Sequence, residues 1–138
     1  MVEHLSLRVY GILVKDKQVL IIKENIKGQA IYKLPGGGLE IGEGLADCLD
    51  RELYEELGTR FTIPPQPSYV ASNFIPSIFM PSYQVIPVYF RIDLPLDFTL
   101  QRLKTEEEIL EINFLDRDAA LDKLFLESDK AALLASLE

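Results

Sequence analysis

The chain has 138 residues, 48% of them hydrophobic and 26% charged, enough for one domain with a buried core. Its net charge of −8 argues against a general surface for nucleic acid or for an anionic membrane. A single cysteine, Cys48, excludes an internal disulfide and fits a reducing compartment.

The N-terminal MVEHLSLRVYG carries no basic region followed by a long apolar core, and no apolar run reaches bilayer length, so the expected location is cytoplasmic. Leu5 to Val14 is rich in β-formers, and Lys15-Asp16-Lys17 makes a polar turn. Gln18 to Lys23 returns as a second strand whose VLII run predicts burial on both faces. Glu24 to Gln29 is polar with Gly28, a predicted loop, and Ala30 to Leu34 is a short strand. That strand delivers the chain into Pro35-Gly36-Gly37-Gly38, a loop that only glycine makes comfortably.

A helix is predicted from about Leu45 to Leu57, stopped by Gly58. Leu49, Leu53, Leu57 and Ala46 form its core stripe. At 100° per residue, Glu55 and Glu56 fall about 60° and about 40° to either side of Glu52, so three carboxylates share one face. Each like-charge pair at this spacing costs about 0.2–0.5 kcal/mol, and anions sit badly at the C-terminal end of a helix dipole. A divalent cation held by oxygen ligands would remove the conflict; a solvated acidic face is the plainer alternative. Cys48 reads as a small buried hydrophobe rather than a ligand.

Beyond Gly58, Phe61-Thr62-Ile63 is a predicted strand stub, and Ser68 to Ile75 and Tyr83 to Leu94 are predicted longer strands. Between the latter two lies Pro76 to Ser82, an apolar connection that needs cover, from the domain's own core or from a second subunit. Asp93 to Thr105 is an irregular loop and Ile109 to Phe114 alternates like a strand. Asp116 starts a helix, and Ser128 caps a final one reaching Leu137. No repeat or linker divides residues 1–138, which are read as a single domain.

Gly37, five residues, Glu43, seven residues, then Arg51-Glu52-Leu53-Tyr54-Glu55-Glu56-Leu57-Gly58 resembles the signature box of the Nudix hydrolases. Every fixed polar or glycine position is matched, and Thr59 alone departs, at a packing position usually held by an aliphatic residue. The resemblance implies an α/β (α+β) fold, an α/β/α sandwich around a mixed sheet. It implies hydrolysis of a pyrophosphate bond in a nucleoside diphosphate linked to another moiety, with Mg²⁺ as cofactor and Mn²⁺ as a substitute. By matched position, Glu52, Glu55 and Glu56 resemble metal ligands, joined by the Gly36 carbonyl. Arg51 resembles an orienting arginine with Glu43 as its partner. The general base is left open between a box glutamate and the loop Glu106-Glu107-Glu108, where Glu107 and Glu108 are the candidates. The implied partner is a nucleotide-type small molecule, with no nucleic acid and no membrane, and a homodimer is expected. Substrate-recognition candidates are Arg8, Tyr10, Lys23, Tyr32, Lys33, Phe74 and Tyr83. The alternative is a module of the same fold that binds a nucleotide or regulates without turnover; it commonly lacks the intact glutamates kept here.

Overall fold

A computed structural model describes residues 1–100 and 107–137. Among these, seven strands belong to one mixed sheet and three segments are α-helical. β1 (His4–Lys15) and β2 (Gln18–Ile26) form the expected hairpin, joined by Asp16 and Lys17 at φ 48° and 65°. Two consecutive positive φ angles mark the tight turn whose twist suits a hairpin. The same device, Lys27 and Gly28 at φ 50° and 85°, joins β2 to β3 (Gln29–Lys33). The polar loop expected over residues 24–29 is therefore strand and two-residue turn: a loop that short leaves its flanks paired, whatever their polarity.

The sheet forks. β1 and β2 pair only near their turn, through Val14 with Val19 and Lys15 with Gln18. Farther along, the same edge of β2 pairs with β3, and its opposite edge pairs with β7 (Ile109–Asp116). β1 meanwhile runs parallel to β6 (Tyr83–Asp93) over eleven residue pairs, from His4 with Tyr83 to Val14 with Asp93. The chain crosses the fork at Leu34-Pro35, leaving β3 on β2 and joining β1 as β4 (Gly36–Gly38). The glycine stretch, expected as a loop, is thus a short strand, with Arg8, Val9 and Tyr10 opposite Gly38, Gly37 and Gly36.

Helix α1 (Leu45–Leu57) has the predicted span and ends at Gly58, whose φ of 70° lets its N–H reach the Tyr54 carbonyl at 2.9 Å. Its leucines and Cys48 pack with Val9, Leu13, Leu20, Ile22, Val88 and Phe90 on one face of the sheet. Gly11 on β1 helps the helix approach, since a side chain there would meet Leu13 at once and Leu49 and Leu53 at 3.7 and 3.8 Å. On the other face, Tyr10, Ile12, Val19, Ile21 and Tyr89 pack against α2 (Arg117–Lys123) and α3 (Glu127–Ser136). The VLII run is buried on both faces, as alternate side chains serve opposite layers. The fold is an α/β/α sandwich.

Other expectations shift. Residues 61–63 are not a strand, yet Phe61 and Ile63 still pack on the core. Of residues 68–75 only β5 (Tyr69–Val70) pairs, antiparallel to β6; the ladder then gives way to one bridge between Pro76 and Gln84. α3 begins two residues early, capped at Leu126, so Ser128 lies in its first turn and is not its cap. The connection over residues 76–82 is partly self-covered: Phe79 lies 6.2 Å from the Phe125 ring, while Ile78 stays exposed. Glu106 lies outside the described residues.

Candidate active site

The fork places β4 against the acidic face of α1. Gly36 has φ 143°, and a Cβ there would lie 2.1 Å from the Val9 carbonyl oxygen, so only glycine fits. At Gly37 the obstacle is chemical: a Cβ would lie 2.4 Å from the carboxylate of Glu52. Glycine leaves room for that carboxylate to lie directly on the strand.

Arg51 gathers the exposed side of the cluster. Its Nε and Nη2 donate to both oxygens of Glu43 at 2.6 and 3.0 Å, a bidentate pair. Nη2 also donates to the Gly38 carbonyl at 3.0 Å, and Nη1 donates to Glu52 at 2.8 Å and to Glu55 at 3.3 Å. The expected Arg51–Glu43 contact across the loop is present. Hydrogen bonds from Arg51, joined by the Glu40 backbone N–H, hold the Glu43 carboxyl down at about 2. Glu43 foremost raises the Arg51 pKa further above its ordinary value. Burial pushes the Cys48 thiol up to about 11, with Glu43 adding to it, which suits a packing residue and not a ligand.

Glu56 faces inward. It is buried, and its Oε1 accepts the Gly36 N–H at 2.7 Å. Lys33, also buried, has its ammonium 3.8 Å from Glu56 Oε2, 3.5 Å from Glu24 Oε1 and 3.4 Å from the Gly36 carbonyl oxygen. Burial pushes the Glu56 carboxyl up and Lys33 opposes it. Burial would lower the Lys33 pKa, but Glu56, with Tyr10 and Glu24 behind it, holds it above the usual lysine value. Burial likewise raises Glu52, against the hydrogen bond from Arg51.

The structure therefore brings Gly36, Glu43, Arg51, Glu52, Glu55 and Glu56 into one cluster. Glu107 and Glu108 are exposed just before β7, where the Glu108 carbonyl accepts the Asn25 N–H at 2.8 Å. Among the described residues, no three acidic, histidine or cysteine side chains already converge as a metal-ligand set. Arg51 and Lys33 hold the carboxylates to separate sides instead. The donors nevertheless suit a hard divalent cation: all are oxygens, and the space where a Gly37 side chain would stand is left to the Glu52 carboxylate.

Beside the cluster lies a cavity of about 660 Å³. Arg8, Tyr10 and Lys33 line it, together with Phe74, Phe79 and Phe125. Arg8 donates through Nε to the Tyr10 hydroxyl at 2.7 Å, and no carboxylate among the described residues pairs with its guanidinium. Of the other recognition candidates, Lys23 is paired with Glu111 at 3.3 Å and Tyr32 lines a separate, smaller depression. The Tyr83 ring lies tilted against His4, 4.9 Å between centroids. Two residues of this region carry no sequence signal, Glu24 within a strand and Asp129 in the first turn of α3. An acid in a first turn reads as a dipole-compatible surface residue.

The model of the NUDIX domain matches residues 3–137. The chain belongs to the NUDIX family. An ADP-ribose pyrophosphatase of Methanocaldococcus jannaschii is 31% identical over 128 residues, covering 92% of this chain and 70% of that protein. Among solved structures, the dihydroneopterin triphosphate pyrophosphohydrolase of E. coli superposes with a TM-score of 0.76 at 18% identity, covering 98% of each chain. A MutT NUDIX hydrolase from Burkholderia pseudomallei gives 0.74 at 17% identity, over 97% of this chain and 99% of that one. These two likenesses concern the fold. Family membership makes this NUDIX protein a pyrophosphohydrolase, an enzyme that cleaves a pyrophosphate bond.

Proposed function

We propose that this NUDIX protein hydrolyses a nucleoside diphosphate linked to another moiety, using Mg²⁺, with Mn²⁺ as a substitute. The observation that supports this most is the placing of Glu52 and Glu56 against a side-chain-free strand, with Lys33 reaching from Glu56 to a cavity that Arg8 also lines. Glu52, Glu55, Glu56 and the Gly36 carbonyl are the proposed metal ligands. When bound, the ion neutralises phosphate charge and lowers the pKa of water. Arg51, clamped by Glu43, orients Glu52 and Glu55. The Arg8 guanidinium makes no ion pair with a carboxylate among the described residues, and with Lys33 it forms a phosphate-binding edge in an otherwise acidic protein. Phe74 and Phe79 offer faces for a planar group. Water attacks one phosphorus, the bridging P–O bond breaks, and two phosphate-bearing products leave. The proton of the attacking water passes to a box glutamate or to Glu107 or Glu108. The cytoplasm is the proposed location and a homodimer the proposed assembly.

Nucleoside triphosphates, oxidised nucleotides, ADP-ribose, nucleotide sugars and dinucleoside polyphosphates form the test panel, assayed with Mg²⁺ and with EDTA. At least one substrate is expected to be cleaved, with activity abolished by EDTA and by Glu56→Gln. Undiminished release in Glu56→Gln would refute the metal assignment.

A further inference from the structure

Pro35 has no N–H, and the N–H groups on either side of it are each taken by a buried carboxylate. Gly36 donates to Glu56 Oε1 at 2.7 Å, and Leu34 donates to Asp129 Oδ2 at 3.1 Å. The other oxygen of Asp129 accepts the Tyr89 hydroxyl at 2.6 Å, so this fully buried acid has a partner for each oxygen. The Pro35 carbonyl is held in turn by the Gly11 N–H at 2.9 Å. With the proline φ fixed near −65°, the segment Leu34-Pro35-Gly36 has little freedom left.

We propose that Asp129 is a positioning residue of the active site: reaching from α3, it fixes Leu34 and thereby the direction in which Gly36 presents its carbonyl. This role rests on the metal-dependent reading above. A purely structural acid would need only the Tyr89 bond, which ties α3 to β6. The Leu34 bond crosses 95 residues of sequence to reach the two-residue link that leads into β4, the strand lying against Glu52 and Glu56. It acts through backbone geometry, as outer-shell partners of metal ligands do.

The test uses wild type, Asp129→Ala, Asp129→Asn and Tyr89→Phe, with Mn²⁺ binding followed by electron paramagnetic resonance without substrate. Steady-state kinetics on whichever substrate the wild type cleaves provide a second readout. Asp129→Ala is expected to lose about 10- to 100-fold in Mn²⁺ affinity and in kcat, with KM little changed. Asp129→Asn is expected to recover most of both, since its amide oxygen can accept from Leu34 and its NH₂ can donate to Tyr89. Tyr89→Phe keeps the Leu34 bond and should bind Mn²⁺ as wild type does. A folded Asp129→Ala with wild-type Mn²⁺ affinity overturns the proposal, as does an Asn variant equally impaired or a Tyr89→Phe loss of the same size. Should Asp129→Ala not fold, amide exchange of Leu34 in wild type and Tyr89→Phe decides: slow exchange supports the tether, and free-peptide rates overturn it. Wild type that neither binds Mn²⁺ nor cleaves any substrate would instead overturn the hydrolase reading, and this role with it.

Discussion

Two adjacent glycines do different work at the site, and substitution should separate them. Gly36→Ala places a Cβ 2.1 Å from a backbone oxygen at φ 143°, where nothing soft can yield. Backbone strain of this kind costs about 1–3 kcal/mol before the clash is counted, so the variant should melt well below wild type or fail to fold. Gly37→Ala meets only the end of the Glu52 side chain at 2.4 Å, which can swing away. Its melting temperature should stay close to wild type while kcat falls about 10-fold or more. Equal loss of stability in both would refute the distinction. At Glu43 the folded-state carboxyl sits at about 2 against an ordinary 4.5. Because folding lowers this pKa, the contribution of the Arg51 pair is complete above about pH 4.5 and fades as pH falls toward 2. The melting-temperature gap between wild type and Glu43→Gln should therefore be constant above about pH 5 and shrink on acidification. A gap that widened in acid would contradict the assignment.

At the scale of the element, α1 carries two faces with opposed demands. Leu53 is fully buried between helix and sheet, and Leu53→Ala should cost about 2–5 kcal/mol in urea unfolding. Next to it, Tyr54 is half exposed, with the Arg60 guanidinium 4.0 Å from its ring. Tyr54→Ala should cost no more than about 1 kcal/mol. Comparable costs at the two positions would mean that the buried face is wrongly assigned. This helix is legible in the sequence, because a thirteen-residue amphipathic pattern closed by a glycine is a local signal. Strand β5 is not. Its length is decided by where the chain parts from β6, which itself runs on to Tyr83, and residues 68–75 do not encode that point. The start of α3 is hidden for a related reason: Ser128 is a good capping residue by type, but the helix already begins at Glu127.

For the whole molecule, the notable arrangement is a forked sheet bridged by glycine. The acidic helix needs cations, and an overall charge of −8 supplies none at long range. Arg51, Lys33 and Arg8 correct this locally, each from a different element. Phe74 and Ile78 remain exposed beside the cavity, at 60% and 62%, which motivates the proposed dimer. Light scattering at micromolar concentration should return twice the monomer mass, and a monomer would end that proposal. Beyond the Arg51–Glu43 pairing, which the family resemblance implied, the sequence by itself determined the glycine run, the helix, its glutamates and the two-sided burial of β2. Each of these is written in spacing over a few turns of chain. Only the tertiary structure decided that Lys33 lies between Glu24 and Glu56, that Arg8 opens into the cavity, and that Asp129 holds Leu34 across 95 residues. Such contacts depend on which layers meet, because a buried charge finds its partner through packing and leaves no periodic trace in the chain.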